Sequence, residues 1–181
     1  MMPKTFITIA IASLAAPLAA QTAAAKPAAA SAELLAQLDD AAGKLQQLTT
    51  AIPQDKFTWR PGTGVRSVSE VYQHVLGTNA EILAAAAGKP TTGMSEDGDV
   101  AQTDHAQIAT QLKSSFGQIH ALLAASSDAD LNKPITMYGR QTTLRDAFLE
   151  AVVHAHEHLG QLIAYARVNG IVPPWSMPQN R

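Results

Sequence analysis

Six histidines stand out in a chain of 181 residues that contains no cysteine. Three of them, His154, His156 and His158, fall within one short stretch. A helix turns by about 100° per residue, so His154 and His158 lie about 40° apart on one face, roughly 6 Å between side-chain bases. Two imidazoles at that spacing can share one metal ion. His156 points about 160–200° away and cannot join them. The pair is a loose signal alone, because any helix with three histidines in five residues contains one. It is also incomplete, since a stable zinc site takes a third protein ligand. Glu150, one turn back, can close one triad. His74, on a different segment, is another candidate, and spacing does not choose between them.

Three neutral imidazoles and a water form a set that lowers the water's pKa towards about 7. Such a water is a nucleophile at neutral pH, and hydrolysis or addition follows if an acid or base stands close by. Glu150, Glu157, Gln161 and Tyr165 lie on or near the histidine-bearing side. Gln161 and Tyr165 are best placed, at about 20° from one histidine, but neither is a strong base. Imidazole ligands admit several metals; the expected ion is divalent, with zinc or nickel ahead of copper or iron. The same positions also suit ordinary histidines at the border of a core.

Composition narrows the rest. Without cysteine there are no disulfides, thiolate ligands or cysteine nucleophiles. A formal charge of −2 leaves no basic surface for nucleic acid. No Gly-rich phosphate loop, nucleophile elbow or HExxH pattern is present.

The elements that must position these residues are helices. Residues 1–25 read first as a cleaved export signal: Lys4, then an apolar run from Phe6 to Ala16, then Pro17 and small residues. No later segment is apolar enough to span a membrane. The mature chain, 26–181, is expected to be a soluble periplasmic or secreted domain. Its first helix is expected from Ser31 to about Thr50, with Leu34, Leu35, Leu38, Leu45 and Leu48 on one face. A connector over 53–66 holds Phe57, Trp59 and Arg60. The second helix starts at the Ser67–Glu70 capping box and carries Val71, Tyr72, His74, Val75, Asn79 and Ile82. Residues 91–102 read as a polar loop. The third helix starts near Thr103 or Asp104, faces Ile108, Leu112, Phe116, Ile119 and Leu123 inward, and ends over Ser126–Asp130. Ile135–Tyr138 is at most a brief strand before Gly139. The fourth helix starts at Thr143, with Asp146 three residues on, and stops at Gly170. The Pro173–Pro178 tail is expected to be extended. The fold class is therefore all-α, a four-helix bundle whose long connectors allow an order other than up-down-up-down.

Other chemical side chains read more plainly. Tyr72 and Tyr165 are expected at the core edge, and Asn79 as a hydrogen-bonded interior group. Trp59 and Trp175 cover the bundle's ends, and His105 and His120 are solvated. Arg60 and Arg66 suit an anionic substrate, but connector arginines are usually surface residues.

Several of these stretches together resemble the DinB-like family. The second helix's Ser67-Val-Ser-Glu-Val-Tyr-Gln-His74 is similar to that family's S-[IV]-x-E-x-x-x-H, and Trp59-Arg60-Pro61 to its connector. His154-Ala-His-Glu-His158-Leu-Gly160-Gln161, followed by Arg167-Val-Asn-Gly170, resembles its last helix. The similarity covers about residues 31–174. It implies a four-helix bundle holding one divalent metal through His74, His154 and His158, and a homodimer. Relatives include metal-dependent hydrolases and transferases and isomerases that use small sugar thiols. Export sets this chain apart, since small thiols are kept reduced in the cytosol. That leaves metal-dependent hydrolysis of a small-molecule substrate as the leading expectation, with a thiol-dependent transferase relative or a non-catalytic metal- or ligand-binding module as the alternatives.

Overall fold

The structure, a computed structural model, describes residues 29–91 and 103–177. The expected export signal and most of the expected polar loop lie outside them. Helix α1, Ala29–Ala51, follows its leucines: Leu38, Ala41, Leu45, Leu48 and the following Ile52 recur every three or four residues and are all buried. It begins two residues before the expected Ser31, which is buried in its first turn. Pro53 closes it and a short 3-10 turn, Gln54–Lys56, opens the connector.

Helix α2, Val68–Ala86, begins at the expected box. Ser67 accepts from the Glu70 amide and Glu70 accepts from the Ser67 amide. Arg60 ties the connector onto this turn, reaching Glu70 Oε1 at 2.7 Å and the Val65 carbonyl at 3.1 Å. Burial works against the Glu70 charge, yet the Ser67 amide and Arg60 hold its carboxyl below the usual range. Helix α3, His105–Ala125, is capped by Asp104 and buries the five expected residues.

Two elements differ from expectation. Ser127 and Asp130 form a second capping box, so a one-turn helix α4, Asp128–Leu131, follows α3 where only a helix end was expected. The brief strand has a partner: β1, Pro134–Met137, pairs antiparallel with β2, Arg140–Thr143. Its two-residue loop, Tyr138-Gly139, has both φ angles positive, at 53° and 72°. That is the twist of a type I′ hairpin, which suits Gly139 and makes Tyr138 unusual. A polar four-residue strand such as Arg140–Thr143 has too little alternation to be recognised alone.

Helix α5, Leu144–Val168, starts at the Thr143–Asp146 box and ends before Gly170, whose φ is 73°. Its apolar stripe runs through Leu144, Phe148, Ala151, Ala155, Leu159, Leu162 and Ala166, all buried. The tail is not wholly extended. Pro174–Ser176 is a 3-10 turn, whose first helical position tolerates proline, and it seats Trp175 against α1, with the Lys44 ammonium 6.0 Å from its ring centre.

Helices α1, α2, α3 and α5 form the four-helix bundle. α1 packs on α3 and α5, and so does α2, which places α1 and α2 across the bundle from each other. α5 therefore runs alongside α2, with its C-terminal end by the start of α2: the Tyr165 hydroxyl donates to the Arg66 carbonyl. Among the described residues no helix is long and apolar enough to cross a membrane.

Candidate metal centre

The neighbouring faces of α2 and α5 bring three imidazoles together. His74 comes from α2, and His154 and His158 from successive turns of α5. Their ring centres are 4.9 Å (His74–His154), 4.8 Å (His74–His158) and 4.4 Å (His154–His158) apart. One nitrogen from each lies within 4.8 Å of the others, in the one such group of metal-ligating side chains among the described residues. Glu150, the rival third member, is not in it. His158 is buried, and His74 and His154 are half-buried. His156 faces away, bonded through Nδ1 to the Val152 carbonyl at 2.9 Å.

A directed chain of hydrogen bonds sets the state of His158. The Arg66 carbonyl can only accept, so the Tyr165 hydroxyl donates to it at 3.1 Å. That hydroxyl in turn accepts from the Gln161 amide nitrogen at 2.9 Å. The glutamine therefore presents its oxygen to His158, 2.8 Å from Nδ1. Nδ1 must carry a hydrogen, so in the neutral imidazole Nε2 keeps a bare lone pair facing the cluster. Trp59 braces the chain from outside, its ring edge-on to Tyr165 at 5.4 Å.

The same logic assigns His154. Its Nε2 lies 3.1 Å from His158 Nε2. One hydrogen must lie between them, and since His158 Nε2 has none, it belongs to His154. Thr78 Oγ1 lies 3.2 Å from that same nitrogen. Burial pushes the His154 pKa down, helped by the charges of His158, His74 and Arg66, to about 3. Neutral imidazole is the form a metal ion requires. Three imidazoles brought together, one of them oriented by an outer partner, fit a divalent ion such as zinc or nickel.

The other expected residues are distributed as follows. Gln161 and Tyr165 are at the site, but they act through His158 and are not poised as acid or base. Glu157 is exposed. Glu150 and Glu81 lie near Tyr138, whose hydroxyl is held above its ordinary pKa by burial and then by those two carboxylates. Tyr72 is not at the core edge: it is wholly buried, stacked on Phe57 at 5.8 Å, and burial drives its pKa up. His105 is half-buried and not fully solvated, its ring at a steep angle to that of Phe57 with centres 5.6 Å apart. His120 is exposed and pairs with Asp39. Asn79 is buried and bonded to Ser115 at 3.1 Å. Thr78 also reaches the cluster, 3.2 Å from His154 Nε2, and the sequence does not single it out. Its place four residues after a candidate ligand was the available signal.

Comparison with known proteins bears on the family and the fold. The sequence profile of the DinB superfamily matches residues 37–162, more than half of the chain. No match was found among the curated proteins. Among solved structures, a DinB-like protein from Bacillus cereus ATCC 10987 aligns with a TM-score of 0.64 at 18% identity, over 78% of this chain and 93% of its own. YfiT from Bacillus subtilis, described as a probable metal-dependent hydrolase with an unusual four-helix bundle topology, gives 0.64 at 18% identity, over 78% and 88%. A further DinB-like protein from Bacillus subtilis, YjoA, gives 0.62 at 19% identity, over 82% and 97%. At these identities the likeness is one of fold.

Proposed function

We infer, because the chain belongs to the DinB superfamily and three imidazoles converge between α2 and α5, that it binds one divalent metal ion through His74, His154 and His158 and is a metal-dependent hydrolase of a small molecule. The observation that carries this reading is the prepared donor set: three nitrogens within 4.8 Å, with the His158 lone pair turned inward by Gln161. The description of YfiT as a probable metal-dependent hydrolase supports the reaction class. An ion bound there supplies a Lewis acid and an activated water. The chain's own residues hold and orient the ligands: Gln161 fixes His158, and Tyr165 and Trp59 hold Gln161. Burial keeps His154 neutral.

Metal content is the test. Protein purified without a His-tag or chelator should carry about one equivalent of divalent metal by elemental mass spectrometry, and His74→Ala and His158→Ala almost none. A wild type that takes up neither zinc nor nickel on reloading would remove the reading. A second reading, a metal-binding module without turnover, is favoured by one observation: Gln161 and Tyr165 are committed to the hydrogen-bond chain, so neither is available as a base. Full metal loading without activity across a broad hydrolase panel would select it. We also propose that residues 1–25 direct export to the periplasm or medium. Amino-terminal sequencing of the exported protein should then begin near Gln21 or Lys26.

A further inference from the structure

Thr78 follows His74 by one turn of α2 and is 4% exposed. Thr49 and Thr110 turn their hydroxyls onto carbonyls of their own helices. Thr78 turns towards the histidines instead, with Oγ1 3.2 Å from Nε2 of His154, the nitrogen that approaches His158 Nε2 at 3.1 Å. Both spacings are close to the edge, about 3.3 Å, of a tetrahedron built on zinc–nitrogen bonds of about 2.0–2.1 Å. The oxygen thus stands beside a ligating nitrogen at the separation that a neighbouring ligand would have.

In the metal-free site His154 Nε2 is the polar atom that Thr78 Oγ1 reaches, at 3.2 Å. An ion would take the lone pair of that nitrogen, with the neutral ring's hydrogen then on Nδ1, so Nε2 would no longer serve Thr78 as a hydrogen-bond partner. Thr78 is too buried for bulk water to replace that partner, and buried hydroxyls are nearly always hydrogen-bonded. A three-histidine site keeps one position for an exchangeable ligand. We propose that Thr78 donates its hydroxyl hydrogen to the oxygen ligand, water or substrate, that occupies this exchangeable position. The proposal rests on the metal-binding reading above and assigns Thr78 to holding that ligand, not the ion.

Cobalt(II) is the probe, because its visible spectrum reports both geometry and ionisation of the exchangeable ligand. Wild type, Thr78→Val and Thr78→Ser are loaded and titrated with pH. Thr78→Val keeps the branched shape and loses the hydroxyl. Thr78→Ala, which loses the same hydroxyl with a smaller side chain, is measured beside it in case the valine disturbs packing. All are expected to hold about one cobalt. The spectral midpoint should rise by about one pH unit in the valine and alanine variants, since the deprotonated ligand loses a hydrogen bond to its charge. It should return to the wild-type position in Thr78→Ser. Equal midpoints in wild type, valine and alanine variants would overturn the proposal. Loss of cobalt from both hydroxyl-free variants would overturn it too, by making Thr78 a ligand to the ion. A wild type that takes no cobalt would overturn the metal-binding reading itself.

Discussion

Leucine at position 161 would keep much of the bulk of glutamine and leave the His158 Nδ1–H without its acceptor. Outer partners of metal-ligating histidines are typically worth about 10–100-fold in metal affinity. Gln161→Leu should weaken metal binding by that factor in a competition titration while leaving the helical circular dichroism unchanged; an unchanged affinity would mean the hydrogen-bond chain is ornamental. His154 makes a separate prediction for the metal-free protein. Unfolded, its imidazole takes a proton below about 6.5; folded, only below about 3. Between those values unfolding binds a proton, so its contribution to stability falls as pH drops through that window. The urea midpoint of wild type should therefore fall more between pH 7 and pH 4.5 than that of His154→Asn, and parallel declines would refute the assignment. At this scale the sequence was half legible. The i, i+4 spacing paired His154 with His158, but His74 came only from the order of motifs, because no periodicity links residues on different helices. Gln161 was placed near the site but not paired with His158 Nδ1: an angle around a helix gives proximity, not which atom donates.

Capping boxes are the clearest link from sequence to element. Ser67–Glu70, Ser127–Asp130 and Thr143–Asp146 each start a helix, and two of those helices carry the histidines. Ser67→Ala should cost about 1 kcal/mol of stability in chemical denaturation, with metal stoichiometry kept, since α2 is also held by its buried face. A destabilisation near zero would show that Arg60 and Glu70 fix this turn without the hydroxyl. Long elements with caps and a stripe, α2, α3 and α5, were legible to within a residue or two. The short ones were not. α4 is a single turn, and β2 is four polar residues whose identity depends on pairing with β1. Tyr138 could not be anticipated in its left-handed conformation either, because only the two-residue hairpin demands it.

At the scale of the molecule, the leucine stripes gave four helices but not their order around the bundle. α1 and α2 are joined by a connector long enough to cross from one corner to the opposite one, and only packing shows that it does. That crossing leaves α2 beside α5, and so brings His74 to His154 across about 80 residues of chain. An ion held there closes a loop of that length. A permanent link of such a span would restrict the unfolded chain by about 4–5 kcal/mol in the chain-entropy account of cross-links. A protein without a single cysteine would thus have a tie between its second and last long helices that a reductant cannot cut and a chelator can.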